Sequence, residues 1–520
     1  MAWDEKGSRG RVQKYDFGDC EVNVQDLSRS MDFRNLGEKD VRRAIGVHMY
    51  IDVPNFHVTV DDAGNDKQKQ RKLIRAASVL RRIQGELMEL DDVGDIQRQT
   101  VRAHGLLFKP YNGDGQPKDE ERAKRSVIHA ITQNSYVLDV FNGVFSDVRD
   151  FSSAVGLASG TSYIANVGKN GERELISLGT CANLAAKIIG GRDSISITSD
   201  MYADLPEFLQ DHFDEDAIVA GVQTYRASGL RWSREPELAK QLGVSWDSEK
   251  WKKRTEELKG DLSLDDITIT DATALIDVSL LTERNCKRTE AVSFYADLDG
   301  FTRYVQEAET DNKVVSLIRQ FHMIRSEFES VVRDFNGLVL QHRGDCILGI
   351  IHMPCGSGNH DSRCQNAVDL AIGLQSSMEH VLNEHLTDRK DIHLAVGMDV
   401  GKVMVTRLGK KGERIAICFG PEVTESERLQ HISSAKQIRI SSEIYEQLDD
   451  EDVTEEFFKR GAAYVATNLT FPTLDEKKEE KAAEEGSLGT SVENNRVQVT
   501  TKSAAIAAQP WQSSKPWLSE

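Results

Sequence analysis

No stretch of this 520-residue sequence approaches the roughly 18 apolar residues that a membrane-spanning helix needs. The amino terminus, MAWDEKGSRG, lacks the apolar segment of a secretory signal. No CxxC pair occurs. The cysteines Cys20, Cys181, Cys286, Cys346, Cys355, Cys364 and Cys418 are scattered, which argues against a zinc site or a disulfide framework and suits reduced, mostly buried thiols in the cytoplasm. Excess positive charge is missing too. A formal net charge of -19 argues against a general nucleic-acid binder, so a polyanion would have to be met through a local device such as a metal ion. With 39% hydrophobic and 29% charged residues the chain is globular, and its length calls for two or three domains.

One phrase is written twice. GKNGERELISLG begins at Gly168 and GKKGERIAICFG at Gly409, and more than half of the positions agree. Upstream, GLASG at Gly156 is answered by GMDVG at Gly397, and HMYIDVPNF at His48 by FYADLDGF at Phe294, each with Tyr-x-Asp closing an alternating apolar run. Between them NGDG, holding Asp114, reads as the match of RGDC, holding Asp345. Repeats of this kind imply two diverged copies of one domain. The expected organisation is an N-terminal extension over 1–40, a first copy over 41–230, a charged helical connector over 231–290, a second copy over 291–470, and a disordered acidic and polar tail over 471–520.

The second copy carries the clearer chemistry. In AVSFYADLDGF, Val292, Phe294, Ala296 and Leu298 point one way and Ser293, Tyr295 and Asp297 the other, so a strand ends with a carboxylate on its polar face. Gly300-Phe301-Thr302 then turns tightly into helix, and a long helical pattern stops at Asn336-Gly337. GLVLQHRGDCILGII reads as a β-hairpin with Asp345 at its bend. Strand, helix and hairpin in this order predict an α+β domain of the ferredoxin-like or palm type, which would set Asp297 beside Asp345. Paired carboxylates on turns suit Mg²⁺ or Mn²⁺, a glycine turn at a helix start offers N–H groups to phosphate, and two such ions about 4 Å apart are the usual apparatus for in-line attack at phosphorus.

FYADLDGFT and RGDC resemble the two metal-aspartate motifs of the class III nucleotidyl cyclases, the adenylyl and guanylyl cyclase family. The twice-written phrase resembles the segment in which this family runs from a hairpin through a glycine into a Val-Asn-x-Ala-x-Arg helix. There Asn183 matches the asparagine and Lys187 stands for the arginine in LGTCANLAAK, whereas FGPEVTESER has Thr424 and Arg428. The resemblance implies two cyclase domains forming an intramolecular pseudo-dimer, with each active site shared between them. One site would take the metal ligands Asp297, Leu298 and Asp345, with Gly300, Phe301 and Thr302 on the phosphates, from the second copy, and Asn183 and Lys187 from the first. The other would take Asp52 and Asp114 with Thr424 and Arg428, but Pro54 and Asn55 spoil its phosphate turn, because proline has no N–H to donate. The first is expected to work, and two chains pairing second copy with second copy stays open as a homodimer.

Adenylyl cyclases read the base with a lysine ahead of the second metal aspartate and an aspartate ahead of the hairpin-closing aromatic, and guanylyl cyclases with Glu and Cys. This chain has Pro110 and Ile176, and Gln341 and Ile417, so no purine code is present. Tyr295 and Tyr50 stand one pleat before the metal aspartates, where they would narrow the base pocket. A tandem cyclase of this kind resembles the bacterial pyrimidine cyclases of anti-phage defence. The resemblance implies two divalent cations, UTP favoured over CTP as substrate, no nucleic-acid partner, and a cyclic nucleotide read by a separate effector. An adenylyl cyclase making cAMP and a catalytically inactive sensor module are the alternatives, while a diguanylate cyclase lacks its Gly-Gly-Asp/Glu-Glu-Phe string.

Overall fold

The computed structural model describes residues 3–15, 22–28, 33, 36–37, 39–108, 118–168, 174–308, 310–386, 392–409 and 414–488. The expected tail beyond residue 488 therefore lies outside the described residues, as do Cys20, Pro110 and Asp114. The first part of that tail is not disordered: it forms the helix Phe471–Leu488, which Lys477 ties to Glu456 at 2.5 Å. The other six cysteines are free thiols, with Cys181, Cys286, Cys364 and Cys418 buried. Among the described residues no helix is long and apolar enough to cross a membrane.

Two nine-stranded mixed sheets make up the chain. The main path of the first runs Gly94–Arg98, Ala103–Leu107, Asp40–Asp52, Ala154–Val167, Ser194–Thr198, Val222–Ser228, Asp214–Val219. The second repeats it as Leu338–Arg343, Cys346–Ile351, Asn285–Asp299, His393–Leu408, Gln437–Ser441, Ala463–Thr467, Phe458–Arg460. Local chemistry explains the elements. The helix Asp311–Asp334 starts where the Thr310 hydroxyl accepts from Lys313 N, and it stops at Asn336, whose φ of 55 lets Gly337 N donate back to the Val332 carbonyl at 2.8 Å.

The repeat is longer than the sequence pattern suggests. Asn23–Asp26 lies parallel to Asp40–Asp52, pairing Asn23 with Asp40, and Thr268–Asp271 lies parallel to Asn285–Asp299, pairing Thr268 with Asn285. A helix precedes each of these edge strands, and each helix docks on the opposite unit. Glu5–Tyr15 sends Arg11 (2.9 Å) and Ser8 (2.7 Å) to Glu327 of the second unit, whose side chain is fully buried. Ser248–Asp261 sends Arg254 to Glu86 of the first at 2.7 Å, and Thr255 meets the Tyr136 hydroxyl at 3.2 Å. The stretches expected as an extension and a connector are thus the same exchanged element used twice.

Apolar packing fastens the two units along a pseudo-twofold axis. The hairpin Ala154–Val167/Glu174–Leu178 lays Ala165, Ile176 and Leu178 into one cluster with Phe301, Ile318 and Phe321 of the second unit. Its counterpart lays Met404, Ile417 and Phe419 among Phe56, Leu73 and Leu80 of the first. At roughly 1.5–3 kcal/mol for each buried large side chain, this seam rivals a domain core. Polar contacts fix its register: Tyr163 donates to Asp311 at 2.9 Å, and Gln97 donates to the His342 carbonyl at 2.6 Å.

Candidate active site

In the second unit Ala296 lies opposite Ile347. Asp297, just beyond Ala296, and Asp345, at the turn just before the partner strand, therefore leave adjacent strand ends together. Between them the Cys346 thiol is pushed well above its ordinary pKa, first by burial and then by both carboxylates. Leu298 buries its side chain in the core, so its backbone carbonyl is what it offers here. Gly300 holds φ at 90, a left-handed conformation costly for any residue with a Cβ, and opens the helix Phe301–Glu307. Phe301 packs on Phe321 with ring centroids 4.7 Å apart, and Thr302 is half-buried. Behind the turn, the buried Arg325 donates to the Gly344 carbonyl at 2.7 Å and braces the bend that carries Asp345.

The first unit closes this cleft. Its helix Thr180–Lys187 lies against Phe301–Glu307 and carries Asn183 and Lys187 one turn apart, both half-buried. Tyr50 packs on the Ala158, Cys181, Leu184, Ala185 and Ile188 cluster under that helix. Burial pushes its phenol above the ordinary value, and the Asp345 carboxylate across the interface adds to the push. Strand-end carboxylates, a glycine turn and an Asn/Lys helix thus meet from two units.

The pseudo-symmetric cleft is filled by its own side chains. Asp52 ends its strand as Asp297 does, but it accepts from Arg102 at 3.0 Å and from Val53 N at 2.8 Å. Arg102 also lies 3.7 Å from Glu427, which Arg343 reaches at 3.2 Å and the Tyr295 hydroxyl at 3.3 Å. Burial alone would raise the Glu427 carboxyl; Arg343 and Arg102 override it and hold it at about 2. The remaining space, lined by Asp52, Pro54, Arg102, Thr424 and Glu427, is about 110 Å³. Small-molecule pockets usually begin near ~300 Å³. Asn55, in the place of Gly300, accepts from Ser152 N at 2.9 Å and donates to the Asp150 carbonyl at 2.8 Å. Arg428 is held by Glu425 of its own helix at 2.7 and 2.5 Å.

Three expectations change. The hairpin equivalent to the one bearing Asp345 is Gly94–Arg98/Ala103–Leu107, not the NGDG stretch. Gln97 lies opposite His104 across a bulge just as Gln341 lies opposite Leu348, and Arg81 braces its turn at the Gln99 carbonyl (2.6 Å) as Arg325 braces the other. The register puts Val101 in the place of Asp345 and Arg102 in that of Cys346, so Asp114 is not the counterpart of Asp345. Gln97 therefore replaces Pro110 at the base-reading position. Tyr295 lines the filled cleft, and Tyr50 takes the corresponding place in the other, within reach of the Asp345 charge. The reason is symmetry: each unit gives its carboxylates to one cleft and its base-side residues to the other. Ile176 stays on the expected side, buried beside Phe301. Sequence reasoning also missed Glu427, whose only signal was a charge in PEVTESER where LGTCANLAAK has Ala186.

Residues 285–475 match the model of the adenylate and guanylate cyclase catalytic domain. The second unit is a class III cyclase catalytic domain, and the whole chain has the tandem class III cyclase-like fold. It is similar to a uridylate cyclase of Pseudomonas aeruginosa, 29% identical over 456 residues and 82% of each chain. A uridylate cyclase of a Rhizobium species is 26% identical over 405 residues, covering 74% of this chain and 75% of that one. The crystal structure of a class III adenylyl cyclase-like ATP-binding protein from Pseudomonas aeruginosa superposes with a TM-score of 0.75 at 25% identity, over 92% of this cyclase and 99% of that chain.

Proposed function

We propose that this cyclase converts a pyrimidine nucleoside triphosphate, UTP before CTP, to its 3′,5′-cyclic monophosphate at the cleft of Asp297, Asp345, Asn183 and Lys187. One observation carries the base assignment. Neither purine-reading position presents a suitable group: Gln97 is engaged by the His342 carbonyl (2.6 Å) and Glu174 (3.3 Å), and Ile176 is buried in an apolar cluster. The names of the two relatives agree with this reading.

The donor set of Asp297, Asp345 and the Leu298 carbonyl is all hard oxygen and fits Mg²⁺ or Mn²⁺. Two such ions, when bound, supply positive charge to the triphosphate and acidify the ribose hydroxyl. The 3′-oxygen forms a bond to the α-phosphorus, the bond to the β-phosphate oxygen breaks, pyrophosphate leaves, and the hydroxyl proton passes to water. Asn183 holds the ribose in line for this attack. Lys187 faces the charge that grows on the α-phosphoryl oxygens, as a point charge without an arginine's fork. The Gly300 turn offers main-chain N–H groups to the phosphates.

The test is pyrophosphate release by the full chain with Mn²⁺ and each of the four ribonucleotides. Faster turnover of UTP is expected, and a preference for ATP at equal concentration overturns the base assignment. The structural relative's name favours ATP as the second reading, and the same panel decides it. Silence with all four supports an inactive module instead. We place the product upstream of a separate cyclic-nucleotide effector in anti-phage defence. Binding of labelled product to a co-encoded protein checks this.

A further inference from the structure

Tyr50 and His104 are direct cross-strand partners, and their rings stack with centroids 4.1 Å apart at 15°. His104 Nε2 lies 2.9 Å from His48 Nδ1, and His48 Nε2 lies 2.9 Å from the Ser162 hydroxyl, with Ser177 at 3.5 Å. His48 and Ser162 are 0% exposed and His104 is 4% exposed. Burial pushes both imidazoles below their ordinary values, His48 to about 3, so the pair stays neutral at working pH and shares one proton between the rings. Buried polar rings are costly unless bonded, and a bonded row of this kind is stiff.

The filled cleft holds its tyrosine differently. Tyr295 lies opposite Leu348 where Tyr50 lies opposite His104, and Ser293 takes the place of His48. Tyr295 is fixed by its hydroxyl on Glu427 at 3.3 Å and by Arg343 over its face at 5.2 Å. Tyr50 is held by packing, between the His104 ring and the cluster under the Thr180–Lys187 helix, and among the described residues nothing hydrogen-bonds its hydroxyl. The fold builds a tyrosine at this place without histidines, so the histidine pair serves something the fold does not need.

We propose that His104, steadied by His48, is a positioning residue for base selection, holding the Tyr50 ring as the wall against which the base is sized. This rests on the cleft assignment above. A wall that yields sideways admits a purine, whereas one backed by a stacked, hydrogen-bonded ring does not.

The experiment compares UTP and ATP kinetics of the full chain with Mn²⁺. His48→Ser with His104→Leu copies the packing the second unit already folds with. It is expected to raise KM for UTP about tenfold, leave kcat within about twofold, and cut the UTP-over-ATP preference about tenfold. His104→Phe, which keeps a flat ring under Tyr50, is expected to hold the preference within about threefold. If it behaves like the leucine variant, stacking is not the device and the proposal falls. A double variant with unchanged KM and preference, while Tyr50→Ala shifts both, overturns the positioning role and leaves the cleft reading standing. No shift in Tyr50→Ala either overturns the cleft reading itself. A lower kcat with preference intact marks a merely structural role and counts against the proposal. Should the double variant fail to fold, His104→Phe against His104→Ala asks the same question.

Discussion

The two clefts of this cyclase occupy equivalent places on one pseudo-twofold axis and have opposite contents. One gathers carboxylates, a left-handed glycine turn and an Asn/Lys helix. In the other, Val101 stands for Asp345, Arg102 for Cys346, Asn55 for Gly300 and Glu427 for Ala186. These changes compensate one another. A strand-end carboxylate that loses its cation becomes an uncompensated negative charge, and Arg102 supplies the missing positive charge from inside the protein. Arg343 then needs a counter-charge, and Glu427 supplies it while also reaching Arg102. In this cleft the charges close into an ion network that joins the two units.

The largest expected effect comes from the cleft proposed to work. Asp297→Ala or Asp345→Ala should lower pyrophosphate release at least about a hundredfold while circular dichroism stays unchanged. A tenth of the activity surviving in either variant would remove that carboxylate from the site. Next, Asn183→Ala should cost about a hundredfold in kcat, the ~3 kcal/mol typical of one positioned donor, while Asp52→Asn in the same unit keeps most activity. Loss from Asp52→Asn with tolerance at Asn183 would exchange the roles of the clefts. Lys187→Arg restores the fork and is expected to hold or raise turnover.

Glu427→Gln sharpens the comparison through stability. It takes the counter-charge from Arg343 and leaves Arg102 with Asp52 alone, and should cost about 2 kcal/mol near neutral pH, read by denaturant unfolding, with turnover per folded molecule retained. The carboxyl is held at about 2 in the fold, below its unfolded value, so its contribution is present above about pH 4.5 and is lost as pH falls toward 2. The gap between variant and wild type should therefore narrow on acidification. A gap independent of pH would mean Glu427 acts by packing.

The smallest effect lies under the helix Pro421–His431. There Asp399, where the first unit has Ala158, is raised to about 7 by burial, with Glu422 and Glu425 adding to it. A carboxyl raised in the fold favours stability below its unfolded pKa and loses that advantage as pH climbs through 7. Asp399→Asn keeps an oxygen for Val400 N and should raise Tm at pH 8 but not at pH 4. Equal melting at both would show that the charge is already compensated.

The half of the site that holds Asp297 and Asp345 is legible in the sequence because its signals are local. Tyr-x-Asp-Leu-Asp-Gly and Arg-Gly-Asp-Cys each mark one bend, and the pairing of Ala296 with Ile347 does the rest. The filled half misleads at its hairpin, since Thr100-Val101 carries no turn residue while NGDG, farther along, carries all of them. Only the paired register shows which bend is equivalent. The exchange of Tyr50 and Tyr295 is invisible in one dimension, because the axis that sends each to the opposite cleft arises when the sheets meet. The exchanged leading helices escape a sequence reading for a similar reason: Glu5–Tyr15 is mostly polar and charged, and its worth lies in reaching Glu327.

That exchange has a consequence for how the chain is born. The helix Glu5–Tyr15 leaves the ribosome before either unit, yet Glu327 and Ser377, which receive Ser8, are made hundreds of residues later. The Ser248–Asp261 helix emerges after the unit it covers is already complete in sequence. So the first unit can be roofed during synthesis, whereas the Glu5–Tyr15 helix must wait until the chain has been made through Ser377 before it can dock.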